Sequence, residues 1–242
     1  DQARRWASNG VDVIDIGGES TRPGSEPVEA EVEKRRVLPV IRELASEFEV
    51  PISIDTQKAE VAEAALEAGA AIVNDVSAFR TDPEMGELIG EREVPVCIMH
   101  MQGTPRTMQD NPVYEEVVSD VKNWLQERVE YAVSAGIEED KIIIDPGFGF
   151  GKTSKHNLEL LRRLHEFHAV GCPILIGSSR KSTIGKVLNA PVNERLYGSL
   201  ATVACAVLAG CHMVRVHDVR ETADVVNMVE AVREGISYEM AD

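Results

Sequence analysis

Residues 141–155 read KIIIDPGFGFGKTSK, and the fold can be worked outward from that stretch. Its β-branched run, Lys141 to Asp145, is apolar at consecutive rather than alternate positions, as a strand buried on both faces of a parallel sheet must be. The run ends in a carboxylate, Asp145, and a long irregular stretch, Pro146 to Lys155, follows it. Six further runs have the same character: Val11 to Ile16, Ile52 to Asp55, Ala71 to Asn74, Val96 to His100, Pro173 to Ile176 and His212 to Val216. Helical signals lie between them. Asp82-Pro83 opens a periodic stretch, and Gly69, Gly136, Gly171 and Gly210 stand where helices should stop.

Strand and helix alternate throughout, giving about seven units where eight close a (β/α)₈ TIM barrel. Gln2 to Ser8 reads as a helix stopped by Asn9-Gly10, so the strand expected before it precedes residue 1. The fold expectation is therefore α/β, a single barrel domain over 1–242 with its first strand absent from the chain. A doubly wound open sheet ranks lower, because no strand is followed by the G-x-G-x-x-G turn of dinucleotide folds.

Composition agrees with one soluble barrel: 242 residues, 43% hydrophobic and 27% charged. The formal charge of −16 argues against a nucleic-acid partner, which requires a basic face. Cys97, Cys172, Cys205 and Cys211 form no C-x-x-C pair and are expected to be buried thiols. With neither a signal peptide nor an apolar run of about 18 residues, no membrane association and a cytoplasmic location are expected.

The longest irregular stretches, Gly17 to Pro27, His100 to Pro112 and Pro146 to Lys155, all follow strands, and in a barrel such loops build the active site. The strand ends carry Asp15, Asp55, Asn74, His100, Asp145, Ser178 to Lys181, and Arg215 to Asp218. Any one of these fits a helix cap, but caps explain the set poorly. Asp55, Asn74 and Asp145 suit a small heterocycle presenting several N–H donors. Arg22, Arg180, Lys181, Arg215 and His217 oppose them, and clustered cations in an acidic protein imply an anionic substrate.

Residues 147–153, GFGFGKT, imitate a phosphate-binding loop, yet Pro146 stands where the first glycine of G-x-x-x-x-G-K-[ST] belongs. A mobile loop over a flat ligand, with Phe148 or Phe150 for packing, is the better reading. His165 and His168, three apart, are expected on an outer helical face rather than at a metal. Strand alternation turns Met99 and Met101 away from His100, and core filling is their simplest role.

Taken in order, DIGGESTRPGS, SIDT, VNDVSAF, MHMQGTPRTMQ, DPGFGFGK, SRKS and RVHDV, from Asp15 to Val219, resemble the dihydropteroate synthase family of pterin-binding barrels. The resemblance implies transfer of a pterin from 6-hydroxymethyl-7,8-dihydropterin pyrophosphate to the amine of p-aminobenzoate, with Mg²⁺ assisting and pyrophosphate leaving. It implies that Asp55, Asn74, Asp145 and Lys181 hold the pterin, Met99 lines its pocket and Arg215 stacks on the ring. Thr21, Arg22, Arg215 and His217 would bind pyrophosphate, and Thr21, Pro23, Lys181 and Ser182 would contact p-aminobenzoate, where sulfonamides compete. Arg22, Asp55 and Lys181 become the catalytic candidates. The family's metal ligand, an Asn on the first strand, would precede residue 1, and a homodimer is implied. A pterin-dependent methyltransferase would have little use for SRKS and RVHD; a pterin-binding homologue without turnover is the non-enzymatic alternative.

Overall fold

The helical start at Gln2 and the buried apolar runs emerge in the structure, a computed structural model that describes residues 1–235. In chain order the elements are α1 (Gln2–Ser8), β1 (Ile14–Gly17), α2 (Ala30–Glu47), β2 (Ile52–Asp55), α3 (Ala59–Glu67), β3 (Ile72–Asp75), α4 (Glu84–Arg92) and β4 (Val96–Met99). They continue with α5 (Val117–Ser134), β5 (Ile142–Asp145), α6 (Ser154–Arg162), β6 (Leu175–Ile176), α7 (Ser182–Leu188), α8 (Leu196–Leu208), β7 (Met213–Val214) and α9 (Val219–Glu234). Short 3₁₀ turns at Glu139–Lys141, Leu164–Val170 and Val192–Glu194 lead into or out of these helices.

All strand pairs are parallel and follow chain order from β1 to β5. A single parallel bridge, Ile144 to Ile174, carries the series on to β6, which pairs with β7. No ladder joins β1 to β7 among the described residues. This is the strand order of a (β/α) barrel, in which each helix returns the chain over the outside of the sheet.

Strand alternation divides the runs into two faces. Ile52, Ile54, Val73, Val96, Ile98, Ile142, Ile144, Ile174 and Ile176 belong to the buried core shared with Val37, Ile41, Leu125, Leu160 and Phe167 of the surrounding helices and turns. Their neighbours Asp15, Ser53, Asn74, Cys97 and Ile143 line an interior cavity instead. At full burial each such core aliphatic contributes about 1.5–3 kcal/mol, so a one-residue slip would be costly as well as functionally fatal.

Three strands are shorter than the sequence suggests. Val11 donates its N–H to Trp6 O at 3.3 Å, finishing α1 rather than starting β1. Pro173 has no N–H to give a ladder. Among the described residues β7 has a ladder with β6 alone, and both of its residues are partly exposed. The glycine stops behave as read: Gly69, Gly136, Gly171 and Gly210 all have positive φ, between 86° and 113°. The loop after β5 ends where Thr153 caps α6, its Oγ1 accepting from His156 N at 3.2 Å.

Candidate active site

The parallel register puts Gly17, Asp55, Asn74 and Cys97 side by side on β1 to β4, while Met99 partners Asp145 one layer higher. Gly17 leaves little room there, since a Cβ in its place would lie 3.2 Å from Asp55 Cβ. A cavity of about 310 Å³ runs along the inner face of the strands, from apolar Trp6, Val11 and Met213 at one end to Lys181, Arg215 and His217 at the other, with Asp15 and Asn74 on its wall. Asp55, Asp145 and Met99 do not line it directly.

Arg215 occupies the centre of the charge arrangement. Its Nε donates to Asp15 Oδ2 at 2.6 Å and its Nη2 to Asp55 Oδ2 at 2.9 Å, while Asn74 Nδ2 donates to the same Asp15 oxygen at 3.2 Å. Asp15 Oδ1 is buried without a partner. Burial raises the Asp55 carboxyl to about 7, helped by neighbouring Asp15 and opposed by Arg215. Asp145 is raised too, mainly by burial, although Lys181 and a hydrogen bond from Gly147 N to its Oδ1 (2.7 Å) favour its charge.

Lys181 donates from Nζ to Phe148 O and stands 4.5 Å over the Phe150 ring. Burial lowers it to about 8, against the pull of Asp145. His217 meets Ser179 Oγ through Nδ1 at 3.0 Å, and burial lowers it as well, with Arg180 reinforcing the shift. Two buried acids and an amine, all biased toward neutrality and gathered at neighbouring strand ends, mark a candidate functional site.

The loop after β1 reaches this mouth. Gly24 N donates to Pro105 O at 3.2 Å on the loop after β4, and the Arg22 charge acts on His217. The base of the loop is fixed: Glu19 Oε2 accepts from Val28 N (2.9 Å) and Lys58 Nζ (2.6 Å), and Lys58 also holds Glu33, a fully buried carboxylate, at 2.6 Å.

A profile of pterin binding enzymes matches residues 1–217. The chain is 48% identical to dihydropteroate synthase from Escherichia coli strain K12 over 222 residues, 92% of this chain and 78% of the relative. The dihydropteroate synthase of Yersinia pestis, solved as a sulfonamide drug complex, matches at TM-score 0.94 and 44% identity, over 96% of this chain and 84% of its own. That of Xanthomonas albilineans with 4-aminobenzoic acid matches at 0.91 and 42%, over 96% and 83%. The chain belongs to the dihydropteroate synthase family.

As a member of that family it is a transferase of folate biosynthesis. Of the residues assigned to a dihydropteroate synthase site, Asn74, Lys181, Arg215 and His217 share the cavity, and Asp55 joins through Arg215. Met99 lies in a separate apolar cluster with Val76, Met101 and Met108, against which Phe150 packs. Thr21 is half-buried, Arg22 and Pro23 are exposed, and Ser182 is the exposed first residue of α7. Neither Thr21, Pro23 nor Ser182 makes a side-chain hydrogen bond among the described residues.

Four readings change. Arg180 does not face the cavity as a free cation; it is paired with Asp218, Nε to Oδ2 at 3.0 Å, and so ties the loop after β6 to the one after β7. Phe148 is a core residue, 1% exposed, which leaves Phe150 as the aromatic near the site. The 147–153 loop is tied down rather than loose: Lys152 Nζ meets His100 Nδ1 at 2.8 Å and Gly149 N donates to Asn157 Oδ1 at 2.7 Å. Cys205 is exposed, whereas Cys97 and Cys172 are buried. Asp15, one of the polar strand ends, receives no site role in the sequence reading, yet its Oδ2 accepts from both Arg215 and Asn74.

Proposed function

We propose that this chain, as one barrel domain, condenses 6-hydroxymethyl-7,8-dihydropterin pyrophosphate with p-aminobenzoate at the strand ends described above. The observation that carries the reading is the Asp15–Arg215–Asp55 bridge beside Asn74, one layer below Asp145. Carboxylates and an amide suit the N–H groups of a pterin, and the planar Arg215 guanidinium suits stacking on its ring. Asp55, Asn74, Asp145, Lys181 and Arg215 form the proposed pterin contacts, with Met99 behind them. Thr21, Pro23, Lys181 and Ser182 are assigned to p-aminobenzoate, and Thr21, Arg22, Arg215 and His217 to pyrophosphate.

In the reaction the C–O bond to pyrophosphate breaks with its electron pair leaving on oxygen, the amine nitrogen forms the new C–N bond, and the amine proton is lost to solvent. The pterin methylene becomes cationic on the way, and an ionised Asp55 opposes that charge. Arg22, Arg215 and His217 face the charge growing on the leaving group.

Magnesium belongs to the proposal only as a companion of pyrophosphate. No group of three or more His, Cys, Asp or Glu side chains among the described residues is arranged to hold a metal. Mg²⁺ ordinarily takes one or two carboxylates plus substrate phosphates, so the leaving group would supply the main oxygen donors. A homodimer is supported by exposed Val187, Leu188, Val192, Tyr197 and Leu208 on and around α7 and α8. A cytoplasmic location follows the family's role; no helix among the described residues is long and apolar enough to cross a membrane.

The test is pyrophosphate release by the purified full-length protein. Release that requires both substrates is expected. A methyl transfer to a thiol acceptor, or pterin binding with no release, would reject the assignment.

A further inference from the structure

Lys152 is 3% exposed and forms no ion pair with any carboxylate among the described residues. Its Nζ instead meets three polar atoms: His100 Nδ1 at 2.8 Å, Phe150 O at 2.9 Å and His100 O at 3.4 Å. A buried amine is costly unless its hydrogen bonds are satisfied, and three partners match the three N–H donors of an ammonium. Aromatic groups enclose the pair. The His100 ring has Trp124 edge-on at 4.8 Å and Tyr114 at 6.0 Å, and Tyr114 Oη donates to Gly151 O at 2.7 Å.

The partners of Lys152 belong to two different loops. His100 follows β4, and Phe150 lies within the loop after β5. That second loop holds Lys181 at two points: Phe148 O accepts from Lys181 Nζ, and the Phe150 ring lies beneath the same nitrogen at 4.5 Å. Lys181 therefore has its position set by residues 148 and 150, and residue 150 has its carbonyl set by Lys152.

We infer that Lys152 is a positioning residue for Lys181, acting through the 148–150 backbone rather than by touching substrate. The inference rests on the assignment of Lys181 to the substrate site. A lysine needed only for folding would look similar in the structure, but it would behave differently in a double-mutant cycle, where groups acting through one another fail to add.

The experiment measures kcat/KM for pyrophosphate release, with melting temperatures, in the full-length protein and its Lys152→Met, Lys181→Ala and double variants. Lys152→Met is expected to cost about tenfold in the native background and under about threefold once Lys181 is alanine. Equal losses in both backgrounds would overturn the positioning role while leaving the site assignment standing. No loss on Lys181→Ala would overturn both. Should Lys152→Met fail to fold, Lys152→Gln, which keeps a donor for Phe150 O, is expected to give a smaller loss with the same non-additivity; additive losses there would equally reject the role.

Discussion

Asp55 shows what burial does to a single side chain. Its carboxyl is raised from 3.8 to about 7, so the folded state holds a proton that the unfolded chain has lost across that interval. Stability tied to that proton is fully present below about 4 and declines as pH rises toward 7, because the unfolded state binds fewer protons throughout the window. In the proposed reaction the same titration bears on activity, since only an ionised carboxylate would oppose a cationic methylene. Lys181, lowered to about 8, sets the other side. We expect kcat/KM to rise through about pH 7 and fall above about 8, and Asp55→Asn to lose the acid limb along with most activity. An unchanged acid limb in Asp55→Asn, measured over pH 5 to 9, would remove Asp55 from that role. The sequence revealed Asp55, Asn74 and Asp145 because each ends a buried run. It concealed that Asp15 and Asp55 share Arg215, since that contact joins residues 160 and 200 positions apart.

The loops at the strand ends depend on the elements that brace them. The one after β1 carries Arg22 on a base held by Lys58 between Glu19 and Glu33, the latter 0% exposed and with Oε1 unpartnered. Removing the cation leaves a buried carboxylate uncompensated, which for fully buried pairs costs about 3–5 kcal/mol; Lys58 is partly exposed, so about 2 kcal/mol is expected for Lys58→Met. Denaturant melts read that loss. Retained stability would show that the Lys58 bridge does not hold the base of this loop. Helix bounds were legible where caps and stops are local: Gln2–Ser8 agrees with its reading, and Asp82 starts α4 by accepting from Glu84 N at 3.1 Å. The short strands were not, because β6 and β7 depend on which neighbour supplies a ladder. The sequence points to a mobile 147–153 loop only because Pro146 breaks the phosphate-loop pattern, which says nothing of where the loop packs. Its anchor, Lys152 against His100, joins two loops through a contact that no local pattern signals.

At the scale of the whole molecule, barrel order was legible because seven apolar runs alternate with helices, and parallel pairing in chain order follows from that alternation. Assembly was not, because an exposed apolar residue on an Ala-rich helix reads the same whether it meets solvent or a second copy. Leu208 is 61% exposed and Tyr197 81% on α8, which packs extensively on α9. If these cover a two-fold interface, Leu208→Glu should shift the protein toward monomer in sedimentation equilibrium with its melting temperature otherwise governed by the lost contact. A native protein that sediments as a monomer at micromolar concentration would contradict the dimer.

The central claim is that the strand ends of this barrel form a pterin site, and calorimetric titration of 6-hydroxymethyl-7,8-dihydropterin pyrophosphate into the native protein and its Asp55→Asn, Asn74→Ala and Asp145→Asn variants tests it most directly. Loss of a hydrogen bond to a charged group costs about 1.5–3 kcal/mol and of a neutral one about 0.5–1.5, so the two Asp variants should weaken binding by roughly tenfold or more and Asn74→Ala by roughly threefold or more, all remaining folded. Undiminished affinity in all three folded variants would contradict it.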